Sequence, residues 1–317
     1  MTQRHRLQKL RNLAHSIILI LGMAMLAAAC AWTVWGAGGL IWAFAGVALA
    51  LLISPSIPPG LVLSLYRARP LGRAEFPEGN ALLRELAERA DLPAVPRLYY
   101  VPSSLLNAFA VGNARSAAVA VTDGMLRRLS QPELAGVLAH EVSHIANNDL
   151  WIMSVADAMS RVTGLLSYFG LFLLAVNLPL IMVGAVTAPW LLVALLILAP
   201  TLMSLLQLAL SRAREFDADL EAARLTGDPS GLASALAKLE RYQGRFWEEI
   251  VFPGRRIPDP SPLRTHPPTD ERIRRLIALE EAARPKPTPR PAEPIVVPIR
   301  LNVVHRPPRW RLPGLWY

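Results

Sequence analysis

The residues with the clearest chemical potential form the pentapeptide His140-Glu141-Val142-Ser143-His144. On an α-helix, side chains four residues apart lie on one face, so both imidazoles can reach one metal ion. The glutamate after the first histidine is placed to take a proton from a metal-bound water and pass it to a leaving amine. The pattern HExxH therefore predicts metal-dependent peptide hydrolysis. The alternative is a helix with two histidines that bind nothing.

The residues around the pentapeptide predict the helix that this chemistry needs. Ser130 and Glu133 form a capping box, with Ser130 as the N-cap and Glu133 at the third helical position. Pro132 is tolerated in the first turn, where its missing N–H would have no partner. We expect a helix over about residues 131–148, and Asp149, just beyond its end, could cap it or orient a ligand. Its apolar stripe comprises Leu134, Val137, Leu138, Val142 and Ile145.

The composition indicates a membrane protein. Of the 317 residues, 53% are hydrophobic, and residues 164–210 form an uncharged run longer than any soluble core helix needs. The single cysteine, Cys30, excludes an intrachain disulfide and a cysteine-based zinc site. The net charge is +9, but no basic helix or aromatic–basic sheet motif is visible, so we expect no nucleic-acid partner. Cytoplasmic flanks and anionic lipid headgroups explain the positive charge more simply.

Apolar segments of sufficient length predict four transmembrane helices. Residues 14–35 and 40–62 would form an N-terminal hairpin, and a cleaved signal peptide is the less favoured interpretation. Residues 164–210 are long enough for two further spans of about 20 residues each, with a turn near residues 177–189. Basic residues precede the first span and follow the second, which places both flanks on the cytoplasmic side.

A small β-sheet is predicted directly before the HExxH helix. Residues 97–101, 106–111 and 117–122 have the composition of strands, and residues 112–116 between the last two form a hairpin turn. Further helices are expected at residues 76–89, 229–242 and 269–283.

A catalytic zinc takes three protein ligands and a water, so a third ligand must be found. A histidine six residues after His144 would mark a metzincin, but Leu150 occupies that position. We select Glu215, which lies about one turn past the second hairpin on a predicted helix. Asp219 shares its face and could hold a ligand histidine by the other ring nitrogen. The alternatives that stay open for the third ligand are Asp149, Asp219 and His266.

Several motifs together resemble those of HtpX, the bacterial heat-shock membrane protease, whose zinc core the CAAX prenyl endopeptidases share. HEVSHIANND is followed, after an apolar hairpin, by SRAREFDAD. The segments LNAFAVG and AVAVTDGML precede it, and RTHPPTDERIRRL follows at residues 264–276. The resemblance covers roughly residues 1–276, and the motifs together are far more specific than HExxH alone.

The resemblance implies a gluzincin site with one zinc ion per subunit. His140, His144 and Glu215 would bind the zinc, Glu141 would be the general base, and Asp219 would support the ligands. The positions implied to contact the substrate or its oxyanion are Asn107, His266 and Arg272. A strand containing Asn107, Ala108, Phe109 and Ala110 could also add an extended substrate by backbone pairing.

We therefore predict a mainly α integral membrane protein with a small β-sheet, four transmembrane helices and a zincin-type (gluzincin) catalytic domain. The predicted organisation is an N-terminal hairpin (1–63), a first catalytic part (64–160), a second hairpin (161–210), a second catalytic part (211–283) and a proline-rich, disordered tail (284–317).

The predicted function is that of a zinc endopeptidase of the bacterial inner membrane, with its catalytic domain facing the cytoplasm. The predicted partners are polypeptide substrates and the lipid bilayer, and the sequence predicts no oligomeric state. The resemblance implies quality control of misfolded or membrane-associated proteins. The alternatives are a catalytically silent scaffold or regulator, and a small transporter. Against a transporter, residues 164–210 contain no Asp, Glu, Lys, Arg or His.

Overall fold

Long apolar helices and a small sheet surrounded by shorter helices make up the fold. The computed structural model describes residues 3–53, 59–182, 184, 190–250 and 269–283. The mainly α architecture with a small β-sheet is as predicted. Its elements in chain order are α1 (Gln3–Ile53), α2 (Pro59–Leu65), β1 (Arg69–Pro70), α3 (Pro77–Arg89), β2 (Arg97–Val101), β3 (Ala108–Val111), β4 (Ala118–Thr122), α4 (Asp123–Arg128), α5 (Gln131–Ala146), α6 (Asp149–Met182), α7 (Trp190–Thr226), α8 (Pro229–Ile250) and α9 (Thr269–Ala283).

The four strands lie in the order β1-β2-β4-β3. β2 and β4 are parallel, whereas β3 and β4 form the predicted antiparallel hairpin, with Ala108 opposite Val121. The sequence predicted three of these strands. It did not predict β1, because two residues, Arg69 and Pro70, carry no alternating pattern. This order leaves β3 at an edge of the sheet.

The HExxH helix α5 lies at the centre of the catalytic core. Its predicted apolar stripe is buried against the sheet and against α3 and α8, and Leu138 and Val142 have no exposed surface. Gly136 allows a close approach of α8, since a Cβ there would lie 2.8 Å from backbone atoms of Leu232. The capping box is formed, with the Ser130 N–H donating to Glu133 Oε2 at 2.7 Å.

The N-terminal hairpin appears as one kinked helix. Within α1, Trp35 and Gly36 leave helical geometry, and Gly36 has a φ of 57°. A Cβ on Gly39 would lie 2.0 Å from the carbonyl oxygen of Ala31. Residues eight apart in a continuous helix are separated by about 12 Å. The chain therefore folds back at this point, where the sequence placed its turn.

Three helices in the described residues are long and apolar enough to cross a membrane, at Leu13–Leu49, Asp149–Leu180 and Trp190–Thr226. The predicted count of four is not confirmed: most of residues 14–35 and 40–62 lie in α1, which is kinked at Trp35 and Gly36 and ends at Ile53. The second hairpin consists of α6 and α7, which pack along each other and along α1.

Both legs of the second hairpin extend beyond the predicted apolar run. α6 begins at Asp149, three residues after α5 ends, and α7 continues to Thr226. The predicted boundaries at residues 160 and 210 therefore lie inside continuous helices. The polar ends of these two helices reach the HExxH region directly.

Candidate metal centre

The two histidines of the HExxH motif lie side by side on α5, as the helical spacing predicts. The His140 and His144 rings meet edge to face with centroids 4.6 Å apart, and their Nε2 atoms are 3.1 Å apart. His140 is buried, and His144 is half-buried. Both imidazoles therefore present the same ring nitrogen to one point.

Glu215 reaches this point from α7. Its Oε2 lies 3.4 Å from His140 Nε2, and its Oε1 lies 3.6 Å from His144 Nε2. One ligand atom from each of the three residues lies within 4.8 Å of the others. Two imidazoles and a carboxylate, separated in the chain by the α6–α7 hairpin, thus converge as the sequence predicted.

The second ring nitrogen of His140 is held by α7. His140 Nδ1 lies 3.1 Å from Asp219 Oδ1, and Asp219 is itself bound by Arg272 of α9. The Arg272 guanidinium donates to both carboxylate oxygens, at 2.7 and 2.6 Å, and its Nη1 lies 3.0 Å from Glu215 Oε2. All four side chains are buried.

His144 has an analogous arrangement on its own second nitrogen. Its Nδ1 lies 2.8 Å from Asp149 Oδ2, and the Asp149 Oδ1 accepts a hydrogen bond from Arg214 Nη1 at 3.2 Å. Asp149 reaches His144 because Asn148 adopts a left-handed conformation, with a φ of 54°, between α5 and α6. Of the two roles that the sequence allowed for Asp149, this geometry corresponds to orienting a ligand.

The contacts of the Nδ1 atoms indicate which atoms could bind a cation. Each Nδ1 lies next to a carboxylate oxygen, at 3.1 Å in His140 and 2.8 Å in His144. A neutral imidazole with its proton on Nδ1 leaves a lone pair on Nε2. Two lone pairs and the Glu215 carboxylate then point at the same small space. Three acceptor groups that face one another are suited to bind a cation. The two nitrogens and one carboxylate oxygen are also a ligand set found in catalytic zinc sites. The residues therefore fit a metal ion.

The pKa of His140 also indicates a site that favours a cation. Burial lowers the pKa of its imidazole, but hydrogen bonds and charge from Asp219 and Glu215 outweigh burial and raise the pKa to about 10. Burial also lowers the pKa of Arg272, and the nearby carboxylates of Asp219, Glu215 and Glu141 raise it above its ordinary value. The site therefore strongly favours positive charge at its centre.

The remaining predicted residues differ in how close they lie to this centre. Glu141 is half-buried on α5, and its charge acts on Arg272. Arg272 is 4% exposed, and its guanidinium is paired with the carboxylates of Asp219 and Glu215. Its predicted contact with substrate stays a prediction. His266 lies outside the described residues.

The predicted substrate strand lies beside α5. The backbone N–H of Asn107 donates to Thr122 Oγ1 at 3.0 Å, and this bond fixes the start of β3. Ala108 and Ala110 are buried, whereas Phe109 is half-buried. Because β3 ends the sheet, one of its backbone edges is not paired with a strand among the described residues.

Sequence reasoning missed one part of this site. No role at the site was predicted for Arg214, yet it is 7% exposed and paired with Asp149. The signal that could have identified it was its spacing, since it directly precedes Glu215 and so lies on a neighbouring face of α7.

Comparisons with known proteins agree with this geometry. Residues 73–280 match the sequence profile of peptidase family M48. Proteins described as protease HtpX homologues, from Burkholderia mallei, B. pseudomallei and B. thailandensis, are 36% identical over 267 residues, covering 78% of this chain and 92% of theirs. The chain belongs to peptidase family M48. A crystal structure of S. mikatae Ste24p is similar over 87% of this chain and 66% of that one, with a TM-score of 0.49 and 18% identity.

Membership in family M48 gives the site its chemical class. The chain is an HtpX-like metallopeptidase and a multi-pass membrane protein that acts on peptides. The resemblance inferred from the sequence motifs is thereby confirmed. The matched region includes every residue of the His140–His144–Glu215 cluster.

Proposed function

We propose that this chain is a zinc-dependent endopeptidase that cleaves extended segments of misfolded or membrane-associated proteins. The observation that carries the proposal is the convergence of His140 Nε2, His144 Nε2 and the Glu215 carboxylate. Two imidazoles and one carboxylate favour zinc among the common divalent ions. Zinc held there would supply a Lewis acid that polarises the scissile carbonyl and the attacking water.

Glu141 is the proton-transfer group in this proposal. It follows His140 on α5 and is half-buried, so its carboxylate is near the cluster and still reachable from solvent. It accepts a proton from the attacking water and passes it to the leaving amine. Glu215, Asp219 and Arg272 keep the ligand set in place, and His266 or Arg272 contributes to binding the oxyanion.

The substrate binds along β3 in this proposal. An edge strand presents N–H and C=O groups to which an extended peptide can pair, and such pairing depends little on side chains. Asn107 directly precedes this strand and Ala108 to Ala110 lie on it, and the strand packs against α5. Broad recognition of unfolded segments follows, and it suits a role in protein quality control.

In this proposal the site lies close to one surface of the membrane. The Asp149 end of α6 and the Glu215 region of α7 lie at one end of their hairpin, so the site is close to one bilayer surface. Basic residues such as Arg67, Arg69 and Arg73 favour the cytoplasmic side of the inner membrane. Substrates would then be cytoplasmic segments of membrane proteins or soluble chains near the membrane.

Replacing Glu141 by glutamine tests the proposal. We expect Glu141→Gln to keep its zinc, because no ligand changes, and to lose about 10²–10⁴-fold in the rate of casein cleavage. The measurements are zinc content of the detergent-purified protein and initial rates of cleavage. Glu88→Gln on the exposed face of α3 is the matched control and should behave as wild type. A wild-type protein that binds zinc but cleaves neither casein nor a destabilised membrane protein would instead indicate a silent scaffold.

A further inference from the structure

The two ligand histidines of the site are held by separate but parallel arrangements. His140 Nδ1 lies 3.1 Å from Asp219, which Arg272 binds, whereas His144 Nδ1 is hydrogen-bonded to Asp149, which Arg214 binds. In each case an imidazole, a buried carboxylate and a buried guanidinium follow one another. The sequence resemblance implies a supporting role for Asp219 and assigns none to Asp149 or Arg214. We infer that Asp149 and Arg214 are positioning residues for His144, an inference that rests on the proposed zinc site.

Asp149 is suited to this task by its contacts and its burial. It is 3% exposed, and one carboxylate oxygen lies 2.8 Å from His144 Nδ1 while the other accepts from Arg214. Accepting the Nδ1–H fixes the tautomer that leaves the Nε2 lone pair facing Glu215. It also fixes the rotation of the ring, which carries Nε2 to within 3.6 Å of Glu215 Oε1.

Arg214 acts on His144 only through Asp149. Its guanidinium is buried and lies beside the carboxylate oxygen that does not contact the histidine. A buried carboxylate without a partner would lose its charge or turn toward water. The arginine thus keeps Asp149 pointed at the ring, and removing it should matter only while Asp149 is present.

Asp149 and Arg214 also connect His144 to the α6–α7 hairpin. Asp149 is the first residue of α6, and Arg214 lies on α7 directly before Glu215. The pair therefore ties both legs of the hairpin to the second histidine of α5. Packing of the two membrane helices against each other then contributes to the position of the ligand set.

Zinc affinity, measured by competition with a chelator on the full-length protein in detergent, tests the inference without using activity. Asp149→Ala should lower the affinity by about 10–100-fold, the usual effect of removing a residue that orients a ligand. Asp149→Asn keeps a hydrogen-bond acceptor but no charge and should lose less. Arg214→Met should lose less than Asp149→Ala, and Arg214→Lys should recover part of that loss.

The double variant distinguishes action through Asp149 from independent action. If Arg214 works only through the carboxylate, Asp149→Ala combined with Arg214→Met should bind zinc no more weakly than Asp149→Ala alone. Independent, additive losses would overturn the role given to Arg214. Matched controls are Glu240→Gln on the exposed face of α8 and Arg212→Met on the exposed face of α7, both expected to bind zinc as wild type.

The outcomes separate this inference from the proposed function. Wild-type zinc affinity in Asp149→Ala and Asp149→Asn would overturn the positioning role and leave the protease assignment intact. Failure of the wild type itself to bind zinc would remove the proposed function first. Thermal unfolding in chelator serves to check that each variant is folded. If Asp149→Ala does not fold, Asp149→Asn and Arg214→Lys decide, and unchanged affinity in both would contradict the inference.

Discussion

The two helices that contribute the candidate ligands, α5 and α7, differ in almost every other respect. α5 has 16 residues, begins with a capping box and is buried in the catalytic core. α7 has 37 residues, begins as an apolar membrane helix with outward-facing leucines and ends with buried charged groups. α5 packs within the catalytic core, whereas α7 passes from a membrane-spanning segment into that core.

This difference shows two ways of placing a ligand. His140 and His144 are brought together by helical periodicity alone, because one turn separates them. Glu215 is brought to them only by the return of the α6–α7 hairpin. The local pair depends on α5 being formed, whereas the third residue depends on how α7 packs against α5.

The largest expected effect comes from breaking the contribution of α7. Glu215→Ala should weaken zinc binding by about 100-fold or more and abolish cleavage, because three protein ligands are needed and two would remain. His140→Ala should give an equal loss from the α5 side. The measurements are zinc content and casein cleavage, with Glu240→Ala on the exposed face of α8 as the control. Full zinc occupancy in Glu215→Ala would show that α5 binds the metal without α7.

The next largest effect is expected from replacing a leucine by alanine, which we compare between the buried α5 and the membrane-spanning part of α7. Leu138 of α5 is fully buried, so Leu138→Ala should lower the free energy of unfolding by about 2–5 kcal/mol. Leu198 of α7 is 57% exposed on a membrane-spanning segment, and lipid or detergent can fill the space left by Leu198→Ala. We expect that change to cost less than about 1 kcal/mol.

Urea unfolding in micelles measures both leucine variants. Equal losses would mean that the exposed face of α7 is covered by protein, as in an oligomer, instead of by lipid. Such a result would remove the distinction drawn between the two helices.

The sequence predicted what is local in this comparison. The capping box, the apolar stripe and the HExxH spacing lie within one helix, so α5 could be placed to within two residues at its end. Glu215 was the residue selected for the third ligand, but spacing alone left Asp149, Asp219 and His266 open. Only folding of the hairpin brings the Glu215 carboxylate to the two Nε2 atoms, at 3.4 and 3.6 Å, and its role as a ligand stays a prediction.

What the sequence could not predict depends on tertiary packing. The pairing of Arg214 with Asp149 joins residues 65 positions apart, and that of Arg272 with Asp219 joins residues 53 apart. A charged residue at the end of a membrane helix is usually solvated, so composition alone gives no reason to expect a buried Arg214. Likewise, the apolar run suggested that the hairpin ends near residue 210, although α7 continues through the site to Thr226.

A smaller effect is expected from the charge that fixes the start of α5. Burial raises the pKa of Glu133, but hydrogen bonds from Lys238, Ser234 and Ser130 outweigh it and lower the pKa to about 2. Glu133→Gln keeps the capping geometry and removes the charge, so it should cost about 1.5–3 kcal/mol at pH 7.

The stability contributed by the Glu133 carboxylate should depend on pH. A carboxylate with a lowered pKa stabilises the fold above its ordinary pKa of 4.5, and this contribution is lost as the pH falls toward about 2. The stability difference between wild type and Glu133→Gln should therefore shrink over that interval. The measurement is thermal unfolding at several pH values. Glu78→Gln, in the exposed first turn of α3, should show no such change in its difference from wild type.

The smallest effect is expected at the exposed end of the contact between α9 and α7. The Arg275 guanidinium lies 3.6 Å from the ring centroid of Phe216 and pairs with Glu271, but its side chain is 55% exposed. Arg275→Gln should therefore cost less than about 1 kcal/mol and leave zinc affinity unchanged, since solvent weakens both interactions. Arg272, one turn earlier on α9, is buried against Asp219 and Glu215, and Arg272→Gln should cost about 3–5 kcal/mol. Chelator competition and unfolding in micelles measure both variants. A loss of zinc affinity in Arg275→Gln would mean that the polar end of α7 is held over its whole contact with α9, and not only at the buried arginine.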